Sequence, residues 1–284
     1  MNDLRFAWRM LAKSRGFTLA AAGLLAAGIG VTTLIFSAVD AILLRPLPVS
    51  HPEQLVHFVQ NLPRIGIDSR IPLPAYEALR DRLATMSAAF GEQQFDLTMT
   101  EPAPAERIRV HLSTPNYFEA LGVTALLGRT LGPRDADDNP GDPPAVLSYG
   151  FWQRRFNGDS SVLGKTLHIA GYTFVIAGVL PREFNGFTAD TTPDVRVPLR
   201  VWPLFAPGWR GHPEYLELDV AGRLSPGVSM AKAQAGSRVI WQAALDAMGK
   251  SDGLSRNPAY PLELVRWSTA PRFCATAMRR RSNS

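Results

Sequence analysis

Two short stretches carry residue types suited to phosphate or metal chemistry. The first is GDSSVLGKT, Gly158 to Thr166. A phosphate cradle needs G-x-x-x-x-G-K-[ST], so that backbone N–H groups converge on the anion and a lysine reaches over it. Here five residues separate Gly158 from Gly164, and Asp159 stands where the first glycine belongs. A carboxylate there repels phosphate. The stretch also continues as KTLHIAGYTF, which alternates like a strand, whereas a cradle opens a helix whose N-terminus faces the anion. We read it as a turn entering a hairpin, with Lys165 facing solvent. The second stretch is RDADDNPGD, Arg134 to Asp142. In calcium-loop register from Asp135, Asp137 and Asn139 fall at positions three and five. Position six, which needs glycine, is Pro140, and position twelve is Val146 rather than glutamate. This reads as a solvated acidic loop.

The remaining chemistry is thin. The five histidines, 51, 57, 111, 168 and 212, form no H-x-x-x-H pair and have no cysteine beside them, so no zinc site is signalled. His57, His111 and His168 fall in expected strands and read as ordinary sheet residues. No serine lies in G-x-S-x-G. The carboxylates are scattered, and spacing nominates no acid–base pair. The sequence therefore nominates no catalytic, cofactor-binding or metal-binding residue. The expectation is a non-enzyme without a cofactor. The single cysteine, Cys274, excludes an intramolecular disulfide, so an exported domain must stand on its hydrophobic core.

The elements that would position such residues begin with a long apolar run. From Phe17 to Val39 there are 23 residues without a charge. A helix of that length spans about 34 Å, against a hydrocarbon core of about 30 Å. Four basic residues, Arg5, Arg9, Lys13 and Arg15, precede it, and Asp40 follows as an interfacial polar residue. The positive-inside rule places the N-terminus in the cytoplasm and everything after Arg45 outside. The run is too long for a signal-peptide core, and Ile42, Leu43 and Leu44 extend it, so an uncleaved membrane helix over 17–44 is expected. Gly23, Gly28 and Gly30 suit close packing against other membrane helices. Residues 1–16 read as a cytoplasmic amphipathic leader. Leu4, Ala7, Trp8 and Leu11 share one face, with Arg5, Arg9 and Lys13 on another.

The formal net charge of +5 comes from the ends. Residues 1–16 carry a net +3, and residues 266–284 carry five arginines and no acid. The body between them is slightly acidic, which argues against a nucleic-acid partner. The mean hydropathy of −0.03 excludes a chain with many membrane spans.

The prolines at 46, 48 and 52 end the helix and open a core domain, 45–265. QLVHFVQ reads as a strand and PLPAYEALRDRLATM as a helix. GEQQFDLTMT and AERIRVHLST read as a strand pair, and PNYFEALGV as a short helix. A stretch rich in glycine and proline follows, 124–213, read as an inserted subdomain. In it AVLS is a strand, YGFWQRRF a helical turn, and KTLHIAGYTFVIAGVLP a hairpin around Ala170-Gly171. YLELDVAGRL is then a strand. SPGVSMAKAQAGSRVIWQAALDAMGK is a long helix capped by Ser225, and YPLELVRW is the last strand. The class is α+β. The order suggests a split βαβ subdomain with a β-rich subdomain inserted. Residues 266–284 form an atypical basic tail.

Two long segments then carry a resemblance: DLRFAWRMLAKSRGFTLAAAGLLAAGIGVTTLIFSAVDAILLRPLP, and VLSYGFWQRRFNGDSSVLGKTLHIAGYTFVIAGVLPREFNG, Val146 to Gly186. Together they resemble MacB/FtsX-type permeases of ABC transporters, over roughly residues 1–265. The resemblance implies one N-terminal helix in the inner membrane, a large periplasmic domain with a porter-like subdomain, and three further membrane helices. It implies that a separate cytoplasmic ATPase subunit or domain drives motion through the membrane to the periplasm. Some members expel macrolides, peptides or lipoproteins with adaptor and outer-membrane partners, and others regulate cell-wall enzymes. The implied partners are the ATPase, other permease subunits in a dimer, a periplasmic adaptor and membrane lipid. RWSTAPRFCATAMRRRSNS does not resemble the family, and is read as the mark of a truncated gene or a frame change. The expected function is the N-terminal anchor and periplasmic portion of an efflux permease. The alternative is a single-span anchored periplasmic binding or adaptor module.

Overall fold

The computed structural model describes residues 15–39, 49–62, 66–136, 141–187, 192–209, 211–248 and 261–267. The chain divides into two units, Met1–Pro46 and Leu47–Ser284.

The first unit holds helix α1, Arg15–Val39. Its described apolar side chains face outward: Leu24 is 77% exposed, Leu34 72% and Ile29 65%. The Thr32 and Thr33 hydroxyls donate back to the Gly28 and Ile29 carbonyls at 2.8 and 2.7 Å, which satisfies both hydroxyls within their own helix. Among the described residues, no helix is long and apolar enough to cross a membrane. Within α1 the run of described side chains is short, 23–34. The leader 1–14, Asp40 and the run to residue 48 lie outside the described residues, as does the tail after Trp267.

The second unit is built on one sheet. In chain order its elements are β1 Leu55–Leu62, β2 Gly66–Asp68, β3 Arg70–Pro72, α2 Leu73–Arg82, β4 Met86–Glu101, β5 Glu106–Ser113 and α3 Tyr117–Leu121. Then come β6 Leu127–Gly128, β7 Pro144–Leu147, α4 Tyr149–Phe156, β8 Thr166–Ile169, β9 Tyr172–Val179, β10 Val195–Pro198 and α5 Trp202–Phe205. The last are β11 Glu217–Leu224, α6 Met230–Met248 and β12 Leu262–Arg266. The sheet runs β12-β1-β11-β4-β5-β10-β7-β9-β6. Pairing is antiparallel except for β10 with β5 and β7 with β9.

β4 is the hinge of this topology. Its first half pairs with β11, from Met86 to Glu92, and its second half pairs with β5, from Glu92 to Met99. Its end pairs with β8 through Met99 and Glu101. Because β8 also pairs with β9, strands β4, β5, β10, β7, β9 and β8 close into a ring. Closure removes the exposed edges that an open insertion would leave. Alternate residues fill the ring: Ile108, Val110 and Leu112 of β5, Leu167 and Ile169 of β8, Phe174 and Ile176 of β9, Val195 and Val197 of β10. All are at most 2% exposed. The segment expected as an insertion, 124–213, thus shares its sheet and its core with the rest.

Helices α2 and α6 pack together, α2 against β4 and β11 and α6 against β12. α6 buries Ala233, Ser237, Trp241, Ala244 and Leu245, the spacing of one helical face. It begins at Met230, later than the sequence suggests. The turn Ser225-Pro226-Gly227 closes by Val228 N–H donating to the Ser225 carbonyl at 3.1 Å. Gly227 has φ +75°, a left-handed conformation that a helix cannot continue through. The cap is therefore not Ser225 but Ser229, whose hydroxyl accepts from the Lys232 N–H at 3.3 Å. β10 was not anticipated, being only four residues long and ending in proline.

Candidate functional site

Three places bring functional side chains together. The most buried lies where β4, β5 and β10 adjoin. Glu92 pairs across the ladder with Ser113, and Arg196 with His111, so all four side chains share one face. None is more than 2% exposed. The Arg196 guanidinium donates to the Glu92 carboxylate and, at 3.3 Å, to the Ser113 hydroxyl. His111 Nδ1 lies 3.2 Å from Glu92 Oε2. Arg196 sits over the Tyr117 ring at 4.7 Å and the Phe184 ring at 5.7 Å. Gly186, at φ +113°, lets the guanidinium approach, since a Cβ there would meet Arg196 Nη2 at 2.4 Å.

Electrostatics fix the charge states. Burial works to raise the Glu92 carboxyl, but Arg196 and His111 outweigh it and hold Glu92 well below the usual carboxylate range. Burial lowers His111, only partly offset by Glu92, so the imidazole is neutral near pH 7. Burial lifts the Tyr117 phenol far above its ordinary value. One ionised pair with a neutral histidine can brace three strands. It reaches no solute, because its atoms are closed off from solvent. In the sequence His111 reads as an ordinary sheet residue, and no spacing links it to Glu92 or Arg196. The only available signal was a polar pair, His111 and Arg196, on strands of otherwise apolar alternation.

The lysine of the cradle-like stretch is already engaged. Lys165 Nζ donates to Asp159 Oδ2 at 3.0 Å and to the Ser161 hydroxyl at 3.1 Å. Asp159 caps the short helical turn Ser160–Val162 by accepting from the Ser161 N–H at 2.8 Å. Those hydrogen bonds, first from Ser161 and then from Lys165, hold the carboxyl down at about 2. The chain then enters β8 at Thr166, not a helix. Lys165 faces solvent, as its place before a hairpin implies.

The acidic loop is corrected at one residue. Asp135 is not solvated but 6% exposed. It accepts from both Arg129 terminal nitrogens at 2.7 and 2.8 Å and from the Gly132 N–H at 2.9 Å. A bidentate guanidinium makes that burial tolerable. Residues 137–140 lie outside the described residues. Among the described residues, no group of three histidines, cysteines or carboxylates could hold a metal ion. His57 lies between the Phe187 and Trp267 rings, at 5.0 and 4.7 Å, and burial lowers it to about 4.

The third place is a cleft of about 190 Å³ between α2 and the segments 131–136 and 198–202. Leu73, Tyr76, Leu131, Leu199 and Trp202 line it, with Arg80 among its polar groups. It offers apolar surface but no nucleophile beside a base.

Comparison with solved structures shows the fold. A domain assigned to a permease protein from Porphyromonas gingivalis superposes with TM-score 0.52 at 19% identity, covering 77% of this chain and 92% of that one. The extracellular domain of the noncanonic ABC-type transporter YknZ from Gram-positive bacteria gives 0.52 at 14% identity, covering 74% and 99%. The periplasmic region of MacB from Actinobacillus actinomycetemcomitans gives 0.53 at 12% identity, covering 81% and 94%. No curated protein matches the sequence. A model of the MacB-like periplasmic core domain matches residues 18–238, most of the chain, and the protein belongs to that family of ABC-transporter permease domains.

Proposed function

We propose that the chain is the membrane-anchored periplasmic portion of an ABC-type efflux permease, passing ATPase-driven motion to the periplasm. The observation that carries this is the pairing of two unlike units. A family domain braced as one sheet follows a helix, α1, whose described leucines and isoleucine face outward. In water such a face is unfavourable, at roughly 25 cal/mol per Å² of apolar surface. In lipid it is not. The run Phe17–Val39 supplies the length, and the basic leader supplies the orientation, N-terminus cytoplasmic. The order β1-α2-β4 and β11-α6-β12, with β11 between β1 and β4 and β1 between β11 and β12, supports the split βαβ, porter-like reading.

The ATP step belongs to a cytoplasmic partner. Lys165 is committed to Asp159, and the chain after it enters strand β8 instead of opening a helix towards an anion. A dimer of permease subunits and a periplasmic adaptor complete the reading. The test is purification of the full chain from membranes in mild detergent. A co-purifying subunit with ATPase activity, and a periplasm-dependent reporter active when fused after Leu264, are expected. A chain that leaves the membrane in alkaline wash, or an inactive reporter on an intact fusion, overturns the reading.

The cleft beside α2 favours a second reading, an anchored binding or adaptor module without transport. Extraction of the anchored chain without any ATPase subunit is its expected signature.

A further inference from the structure

The segment that leads into the core domain, residues 49–54, is held by one side chain from the middle of the sheet. Arg223 of β11 donates from Nε to the Ala120 carbonyl at 3.0 Å and from Nη2 to the same carbonyl at 2.8 Å. It donates from Nη1 to the His51 carbonyl at 3.0 Å and from Nη2 to the Ser50 carbonyl. Nη1 also lies 3.5 Å from the Gln54 amide oxygen. Among the described residues no carboxylate is within ion-pair distance of Arg223, although burial lowers its pKa and Glu53 partly restores it. A half-buried guanidinium spent wholly on carbonyls and an amide does the work of position, not of charge pairing.

The segment is gripped from the other side too. Ser50 N–H donates to the Leu121 carbonyl at 3.0 Å. Gly122, at φ +69°, ends α3, and a Cβ there would meet Ser50 Oγ at 2.1 Å. His51 is itself left-handed, at φ 48°, and opens the short turn Pro52–Gln54 that leads into β1. Ser50 is thus closed between a glycine that leaves it room and an arginine that takes its carbonyl. The Ala120 carbonyl stands at the negative end of α3, where a cation is favoured. Arg223 therefore joins three things: the incoming chain, the end of α3 and the central strand β11.

We infer that Arg223 locks residues 49–54 to β11 and α3, so that displacement of the incoming chain is delivered to the sheet instead of being absorbed in the turn. Delivery of a displacement rests on the transmission role proposed above. The lock itself does not, and it is measured without any partner. The experiment uses the full chain in detergent or nanodiscs, with two readouts. In hydrogen exchange, Arg223→Ala should speed exchange at residues 50–55 at least tenfold while amides of β5 change less than about twofold. Arg223→Lys should fall between, since three tetrahedral donors cannot reach all the carbonyls. In the second readout, with Cys274→Ser so that no other thiol is labelled, spin labels on Glu53→Cys and Glu119→Cys should give a narrow distance distribution that Arg223→Ala broadens. Gly122→Ala, which pushes Ser50 away without touching Arg223, should broaden it as well. Unchanged exchange at 50–55, or an increase spread evenly over the whole domain, overturns the lock. An unbroadened distance distribution does so too. If the lock holds but no ATPase subunit accompanies the chain, the transmission reading fails and the lock stands.

Discussion

At the scale of single residues, two carboxylates meet across one ladder and carry opposite burdens. Glu92 and Asp219 are register partners on β4 and β11. Glu92 has Arg196 at its carboxylate; Asp219 accepts from the Ser69 hydroxyl, with its ladder partner Arg70 as the nearby cation. Burial, and then the nearby Glu92 charge, lift Asp219 to about 6 despite the Ser69 hydrogen bond. A raised carboxyl is comfortable when protonated. Its folded-state penalty is absent below about pH 4, grows as pH rises towards 6, and is full above that. Asp219→Asn keeps an acceptor for Ser69 and removes the charge. It should raise the melting temperature by roughly 2–6 °C at pH 7.5 and leave it unchanged at pH 4. Equal shifts at both pH values would discard the titration account. Glu92 behaves the other way. Breaking its pair by Arg196→Met leaves a buried carboxylate alone, a loss of about 3–5 kcal/mol. Glu92→Gln with Arg196→Met together should recover part of that loss in a denaturant titration, because both charges go. Lys165 marks the bland extreme. Its pair with Asp159 is half exposed, so Lys165→Ala should leave stability nearly unchanged in a chemical melt. Titration of the chain with Mg-ATP should release no saturable heat. Micromolar binding abolished by Lys165→Ala would reinstate a nucleotide site.

At the scale of elements, local chemistry explains what the sequence made legible and what it hid. The hairpin of β8 and β9 was readable because alternation runs along both arms and Ala170-Gly171 carries positive φ at the turn. β1, α2, β5, α3, α4 and β12 were readable for similar reasons of period and bounding turn residues. The start of β4 was not. The helical pattern runs on to Met86 and the alternation begins only at Gly91, so it is the pairing with β11 that makes Met86 to Phe90 a strand. β10 was missed because a parallel partner distant in sequence, β5, defines it. The ionic cluster was hidden for the same reason. Glu92, His111 and Arg196 lie on three strands, and no spacing rule links them. The cap of α6 is ambiguous in the sequence because Ser-Pro-Gly carries both a capping residue and a stronger turn signal. The turn wins because Gly227 takes the left-handed conformation. Ser229→Ala should therefore cost about 1 kcal/mol of stability in a chemical melt, a typical loss for a helix cap. Ser225→Ala, with its main-chain bonds intact, should cost less than half of that. The reverse ranking would restore the earlier start of the helix.

At the scale of the whole molecule, the question is whether the insertion behaves as a domain of its own. Composition says it should, being rich in glycine and proline between two stretches of ordinary texture. The connectivity joins it to the rest of the sheet. β4 spends half its length on the antiparallel sheet that carries α2 and α6, and the other half on the six-stranded ring. Unfolding the ring would strip partners from β4 and β5 and open one face of the shared core, which runs from Trp241 of α6 to Phe174 of β9. It would also break Arg196 away from Glu92, leaving that carboxylate buried without its cation. Each loss is of the kind that makes partial opening as costly as complete opening. Under the transmission role proposed above, this arrangement is also an advantage, since a soft joint in the middle would absorb the displacement. Native-state hydrogen exchange on the full chain, at rising denaturant, separates the possibilities. Amides in β1 and β9 should converge on one opening free energy with one denaturant dependence, because both must wait for β4. α1, which belongs to the other unit, should follow its own course. If β9 opens at distinctly lower free energy than β1, with a smaller denaturant slope, the ring is an independent folding unit. The shared strand would then be a seam, not a brace.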